Sequence, residues 1–83
     1  MNTTTNTYTL DKLIAQQKGH VINVNSKNSE VQGRLLTLGL YPGVQIEVLR
    51  RAPMGDPLQV RAGSTLLSIR LHEAEGIDVE VIA

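Results

Sequence analysis

The sequence has no cysteine, and this absence excludes several kinds of chemistry. Without thiols there are no disulfides, no thiolate metal sites and no cysteine nucleophile, and such usage fits a reducing compartment. No stretch approaches the roughly 20 consecutive apolar residues that a membrane helix needs. The polar segment 1–7 has neither the charged nor the apolar part of a signal peptide. We therefore expect a cytoplasmic protein that meets a membrane only indirectly, through a partner.

Aromatic residues are also scarce, since Tyr8 and Tyr41 stand without any phenylalanine or tryptophan. A groove for proline-rich peptides needs an aromatic lining, and single-stranded nucleic acids stack their bases on aromatic rings. The formal net charge of +0 further argues against nucleic acid as a partner. The four serines and two histidines match no nucleophile or zinc signature, and no phosphate-binding glycine loop is present. We therefore do not expect an enzyme.

One short stretch combines a helix, a turn and a strand. Val31, Leu35 and Leu38 follow helical spacing, Ser29 with Gln32 matches a capping box, and Gly39 stands where a helix closes with a left-handed residue. A type II turn is predicted next, with the required proline and glycine at Pro42 and Gly43. The pattern then alternates as in a strand whose inner face carries Val44, Ile46 and Val48. The helix is therefore expected to fold back on the strand that follows it.

The remaining chain alternates as short strands separated by turns. A helical turn is expected at Leu10, Leu13 and Ile14, a first strand at 20–25 with Ile22 and Val24 facing inward, and a rigid loop at 52–57. Strands follow at 58–62, 65–71 and 77–82, with a hairpin at Gly63-Ser64 and one helical turn at 72–76. Five strands of this length favour a mainly β fold, a small SH3-like antiparallel barrel with one capping helix. We expect residues 1–8 to be a flexible tail and residues 9–83 a single domain.

Two sets of residues are candidates for binding. Leu40, Tyr41 and Met54, rimmed by Arg50 and Arg51, would form a docking patch for a protein partner if they are exposed. The alternative, that Leu40 and Leu49 are packed under the helix, stays open. Five arginines in the middle of the chain and acidic residues after position 72 also suit docking, although balanced strand faces would give the same pattern.

The second candidate is a metal site. His72 and Glu75 are three residues apart, which on a helix places both on one side, and imidazole with carboxylate suits Fe²⁺ or Zn²⁺. Two ligands do not complete a site, so His20, Asp78 or a second copy in a homodimer would have to contribute. The alternative is a solvated polar turn.

Three motifs in order resemble the FeoA family, ferrous iron transport protein A. The first runs from Arg34 through Leu38, Gly39, Leu40, Pro42 and Gly43; the second covers Pro53, Gly55, Asp56 and Pro57; the third is 67–71 with Arg70. The resemblance spans about Leu10 to Val81. Those motif positions include no histidine, so the resemblance supplies no metal ligands.

The resemblance implies a cytoplasmic SH3-like protein that works beside FeoB, the membrane transporter with a GTPase domain that imports Fe(II). The main hypothesis is a non-catalytic accessory protein that docks on that GTPase part. The alternative is a transition-metal sensor or carrier related to the C-terminal domain of iron-dependent repressors.

Overall fold

The computed structural model describes residues 6–25 and 28–82. It contains one antiparallel sheet of six strands in the order β1-β6-β2-β3-β4-β5, with a helix between β2 and β3 and a short one before β6. The mainly β fold class is confirmed. The strands are β1 (Thr7–Thr9), β2 (Lys18–Val24), β3 (Gln45–Arg51), β4 (Leu58–Ala62), β5 (Thr65–Ile69) and β6 (Ile77–Val81), and the helices are α1 (Ser29–Thr37) and α2 (Leu71–Ala74).

Strand β1 begins inside the segment that we expected to be a flexible tail. Residues 1–5 of that tail lie outside the described residues. Thr7 and Tyr8 pair with Glu80 and Val79 of β6, and the Val81 amide donates to the Asn6 carbonyl at 2.8 Å. Pairing satisfies backbone groups that β6 would otherwise leave at an open edge, and threonine favours extended backbone. The structure therefore has one more strand than the five predicted.

Helix α1 begins one residue earlier than the capping pattern predicted. Asn28, and not Ser29, is the N-cap, because its side-chain oxygen accepts from the amides of Glu30 at 2.9 Å and Val31 at 3.3 Å. The Gln32 side chain does not complete a capping box. Its Nε2 instead donates to the carbonyl of Val24 at 2.6 Å, which fastens α1 to the end of β2.

The end of α1 agrees with the sequence prediction. Gly39 has a φ of 107°, its amide donates to the Leu36 carbonyl, and the Leu40 amide donates to the Leu35 carbonyl at 3.0 Å. This pair of bonds is the Schellman arrangement, which returns the chain across the last helical turn. The return places Leu40 beside Leu35 in the core. Leu38, predicted to share the inner face with Leu35, lies before the reversal and is exposed.

A β-bulge decides which residues of β2 face inward. The register against β6 shifts between Val21 and Asn23, so the extra residue reverses the alternation of side chains. Val21 and Val24 are consequently buried, while Ile22, expected on the inner face, is exposed. The prediction for Val24 was correct and that for Ile22 was wrong.

Within the described part of the chain, the hydrophobic core is built from aliphatic residues alone, as the scarcity of aromatics predicted. Val44, Ile46 and Val48 are buried as expected, and the helical turn before β2 is a 3₁₀ helix, Leu10–Lys12, that packs against α2 and β6. Leu10 and Leu13 are buried there, but Ile14 is exposed. Among residues 6–25 and 28–82, the buried aliphatic residues are Leu10, Leu13, Val21, Val24, Leu35, Leu40, Val44, Ile46, Val48, Leu58, Val60, Ala62, Ile69, Ala74, Ile77 and Val79.

Candidate functional site

Leu40, the first residue of the predicted docking patch, is not on the surface. Its relative exposure is 0%, because the Schellman reversal turns it under α1. The alternative left open at the sequence level, packing under the helix, is therefore the correct one for this residue. Leu40 cannot contact a partner without unfolding the end of α1.

Tyr41 and Met54 are both exposed, but they do not form one patch. Tyr41 precedes β3 and Met54 follows it, so the full seven-residue length of that strand separates them. At 3.2–3.4 Å per residue this separation is about 20 Å along an extended strand. A partner would meet two distinct surfaces, one at each end of β3.

The β3–β4 loop presents Met54 rigidly. The Ala52 amide donates to the Pro57 carbonyl at 3.1 Å, and the Gly55 amide donates to the Ala52 carbonyl at 2.7 Å. Gly55 has a φ of 83°, which a glycine adopts without strain. Met54 is 90% exposed at the tip of this closed turn. Hydrogen bonds within the loop thus fix its backbone, and the loop holds a long apolar side chain in solvent.

Arg50 and Arg51 have different environments although they are adjacent. Arg51 Nη2 donates to the backbone carbonyl of Asp11 and to that of Leu13, at 3.0 Å for Leu13. Arg51 therefore fastens the 3₁₀ turn to β3. Arg50 is exposed and borders a groove of about 410 Å³ lined by Leu49, Arg50, Ala52, Pro53 and Gln59. Only Arg50 of the pair remains suitable for a docking surface at the Met54 end.

Residues from all three family-like motifs meet around Glu73, which the sequence reasoning did not single out. Glu73 is a buried acid whose Oε2 forms an ion pair with Arg34 of α1. Its Oε1 accepts from the Arg70 amide at 3.3 Å, and Asp56 Oδ1 accepts from the Leu71 amide at 3.0 Å. The acid three residues after the N-cap Arg70 is the sequence signal that would have found it. This cluster joins α1, the β3–β4 loop and α2.

His72 and Glu75 lie on one cavity, as their spacing predicted, and both side chains are exposed. The cavity has a volume of about 470 Å³ and is lined by Asn25, Asn28, Val31, His72, Glu73, Glu75 and Gly76. Asp78 is held nearby, since its Oδ2 accepts from Asn25 Nδ2 at 2.9 Å.

The donor set on this cavity does not amount to a complete metal site. Within residues 6–25 and 28–82, no group of three or more histidine, cysteine, aspartate or glutamate side chains is arranged to hold a metal ion. His20 does not help, because it stands on the sheet opposite Gln45 and Glu80 and is not part of the cavity. A metal held by His72 and Glu75 would need ligands from water or from another molecule.

Across the described part of the chain, no helix has the length and apolar character needed to cross a membrane.

Comparisons with known proteins agree on one family. The FeoA domain model matches residues 8–81. An FeoA protein from Chlorobium tepidum is 39% identical, with a TM-score of 0.83, over 92% of this chain and 71% of that one.

Two further structures extend the comparison. The FeoA of Stenotrophomonas maltophilia, solved with zinc, is 29% identical with a TM-score of 0.77, over 88% of this chain and 89% of that one. It is described as a prokaryotic SH3 domain protein and suggested to be a ferrous iron transport activating factor. A manganese-dependent transcriptional repressor is 16% identical with a TM-score of 0.85, over 96% of this chain and 44% of that one, and so shares the fold alone.

Proposed function

The chain belongs to the FeoA family, and from this membership we propose that it is a non-catalytic accessory protein of ferrous iron uptake. In this proposal it docks on the cytoplasmic GTPase part of the FeoB transporter and modulates Fe(II) transport. Family membership is the observation that carries the proposal. The absence of cysteine and of any recognised nucleophile motif in the sequence supports a role exerted by contact.

We assign the contact to the Met54 end of β3, which we call the Met54 surface: Leu49, Arg50, Pro53 and Met54. An exposed methionine on a braced loop can bury area on a partner at little entropic cost, because the backbone is already ordered. Arg50 supplies a charged rim beside the groove. Methionine and arginine are both enriched at protein interfaces.

The test is a pull-down of the transporter's soluble domain, with and without a GTP analogue, using Met54→Asp and Tyr41→Asp variants. Both substitutions introduce a carboxylate at an exposed position, but at opposite ends of β3. We expect Met54→Asp to reduce binding at least tenfold and Tyr41→Asp to leave it near the wild-type value. Equal binding by Met54→Asp and wild type would remove the Met54 surface from the proposal. Failure of the wild type to bind in either nucleotide state would remove the docking function.

A second candidate function, metal sensing or carrying, is favoured by one observation: His72 and Glu75 share a cavity. The zinc complex of the S. maltophilia relative adds support. Two side chains do not complete a site, so in this proposal a second copy of the chain supplies further protein ligands.

Calorimetric titration of the metal-free protein with Fe(II) or Zn(II) tests this second function. His72→Ala should abolish the heat of binding, and His20→Ala, which removes the histidine outside the cavity, should not. Sedimentation with and without metal should show metal-dependent dimers. No saturable heat at micromolar protein, or equal loss in both variants, would reject the site.

A further inference from the structure

Strand β5 forms one edge of the sheet and is a more open edge than β1 at the other end. In the sheet order β1-β6-β2-β3-β4-β5 it has β4 on one side, and among residues 6–25 and 28–82 no strand pairs with its other side. It is five residues long, against three for β1. Its sequence, Thr-Leu-Leu-Ser-Ile, has no charge and no proline, and its register with β4 is continuous. The usual features that protect an edge strand from pairing are therefore absent from β5 itself.

The hairpin that joins β4 to β5 determines which backbone groups point outward. Gly63 has a φ of 60° at the first central position of a two-residue loop, as a type II′ turn requires. Such a loop is closed by a hydrogen-bonded pair, here Ala62 with Thr65, and bonded pairs then alternate along the ladder. The amides and carbonyls of Leu66 and Ser68 consequently point away from β4. They provide two donors and two acceptors to an added strand.

The side chains along this edge offer apolar contact as well. Leu66 is 66% exposed, directly opposite Arg61 of β4. Leu67, on the other face, is half-buried against the core. A strand added here would cover Leu66 on the outer face and extend the cover over Leu67 on the inner face.

The charges around β5 favour an acidic occupant. Three ion pairs lie on the half of the molecule that carries β5, and in each pair the arginine side chain is more exposed than its acidic partner. The exposed fractions are 50% for Arg34 and 7% for Glu73, and 49% for Arg61 and 24% for Glu47. They are 63% for Arg70 and 37% for Asp56. The Glu73 carboxylate is nearly buried and that of Glu47 is largely covered, whereas Asp56 still contacts solvent. Although these pairs are neutral in sum, the surface that they present to solvent is cationic.

We propose that the outer edge of β5 binds an extended acidic segment of a partner protein as a seventh strand. Backbone bonds to Leu66 and Ser68 supply affinity, and acidic side chains near Arg61 and Arg70 supply selectivity. A second copy of the chain is a poorer occupant, because pairing β5 with the β5 of another copy would bring the arginines of both copies close together, and like charges repel. The proposal stands apart from the proposed function, since it concerns the backbone edge of β5 and not the Met54 side chain, and it does not require the transporter.

The test uses two ten-residue peptides of alternating valine and charged residues, one with glutamate and one with lysine, titrated into ¹⁵N-labelled protein. We expect the glutamate peptide to shift the backbone amide signals of Leu66 and Ser68, with an affinity that falls as salt rises. The lysine peptide should produce no such shifts. The peptides contain no transporter sequence, so their failure and a failed pull-down are separate results.

Ser68→Pro is the matched backbone variant. It removes an amide that points outward and leaves the hydrogen bonds to β4 intact, so the variant should fold. Its affinity for the glutamate peptide should fall about tenfold, roughly the effect of one hydrogen bond. Ser68→Ala, which keeps the amide but loses the hydroxyl bonded to Gln59, should bind as the wild type does. Leu66→Glu, at an exposed position, provides a second variant that repels the acidic peptide without touching the core.

Four results would overturn the proposal. The first is no shift at Leu66 and Ser68 at millimolar glutamate peptide, and the second is equal shifts with the lysine peptide. The third is a shift of these signals with protein concentration alone, which would identify a second copy as the occupant. The fourth is wild-type affinity in both Ser68→Pro and Leu66→Glu.

Discussion

Replacing Glu73 with alanine tests whether the buried acid holds α1 against the start of α2. Glu73 is nearly inaccessible, and its two oxygens contact Arg34 of α1 and the Arg70 amide at the start of α2. The alanine variant removes both contacts. Arg34 is half exposed and can be hydrated again, but the Arg70 amide loses its charged acceptor.

The magnitude follows from these two contacts. Breaking a fully buried ion pair costs about 3–5 kcal/mol, and a hydrogen bond to a charged group is worth about 1.5–3 kcal/mol. Because Arg34 regains water, the upper range does not apply. We expect Glu73→Ala to lower the free energy of unfolding by about 2 kcal/mol. For a domain of this size that loss corresponds to a fall in Tm of roughly 8–16 °C.

Urea denaturation followed by circular dichroism measures the effect, with Glu47→Gln as the control. Glu47 also pairs with an arginine, Arg61 at 3.3 Å, but both partners contact solvent. Its replacement should cost about 0–1 kcal/mol and lose its effect at 1 M salt, whereas the cost at Glu73 should persist. A double-mutant cycle with Arg34→Ala isolates the energy of the pair itself.

A small effect at Glu73 would show that the acid is not a buried link between α1 and α2. If Glu73→Ala and Glu47→Gln destabilise the protein equally, or if the cost at Glu73 disappears in 1 M salt, the acid does not act as a buried link. A coupling energy near zero in the cycle would show that Arg34 lies beside Glu73 without stabilising it.

Two further predictions concern α1 and its end. Leu40→Asp places a carboxylate at a position with 0% exposure, so we expect loss of the cooperative unfolding transition in circular dichroism, whereas Tyr41→Asp next to it should keep that transition. Gly33→Ala and Gly39→Ala make the same chemical change with opposite expected signs in thermal unfolding. Gly33 is helical with open space around it, so alanine should stabilise by about 0.5–1 kcal/mol, while at Gly39 the φ of 107° should make alanine cost about 1–2 kcal/mol. If both alanine variants changed the stability in the same direction, this account of the helix end would be contradicted.

Local patterns predicted most of the fold. The alternation in β3 predicted its buried residues, and the helix end at Gly39 was correct, because each depends on neighbours within a few positions. The errors came where distant chain segments decided the outcome. Ile22 faces outward because β2 bulges against β6, and the pairing of β1 with β6 could not be read from a threonine-rich segment.

The candidate site was predicted less well than the fold. His72 and Glu75 share a cavity as their spacing indicated, and Met54 is exposed on a rigid loop. Leu40 was assigned to the surface patch but is buried, because a position next to a turn does not show whether the side chain after a Schellman motif points to the core or to solvent. Tyr41 and Met54, which the sequence prediction placed in one patch, lie at opposite ends of one strand.

The amino-acid sequence by itself determined the class of this protein: a small aliphatic β domain without thiols, with helix and turn ends placed by glycine and proline. Only the tertiary structure decided which charged side chains are buried, which strand is left at an edge, and that the contacts of Glu73 and Asp56 join three separated motifs. The physical reason is that propensities and periodicity act over a few residues, whereas burial and ion pairing depend on segments that meet only after the sheet has formed.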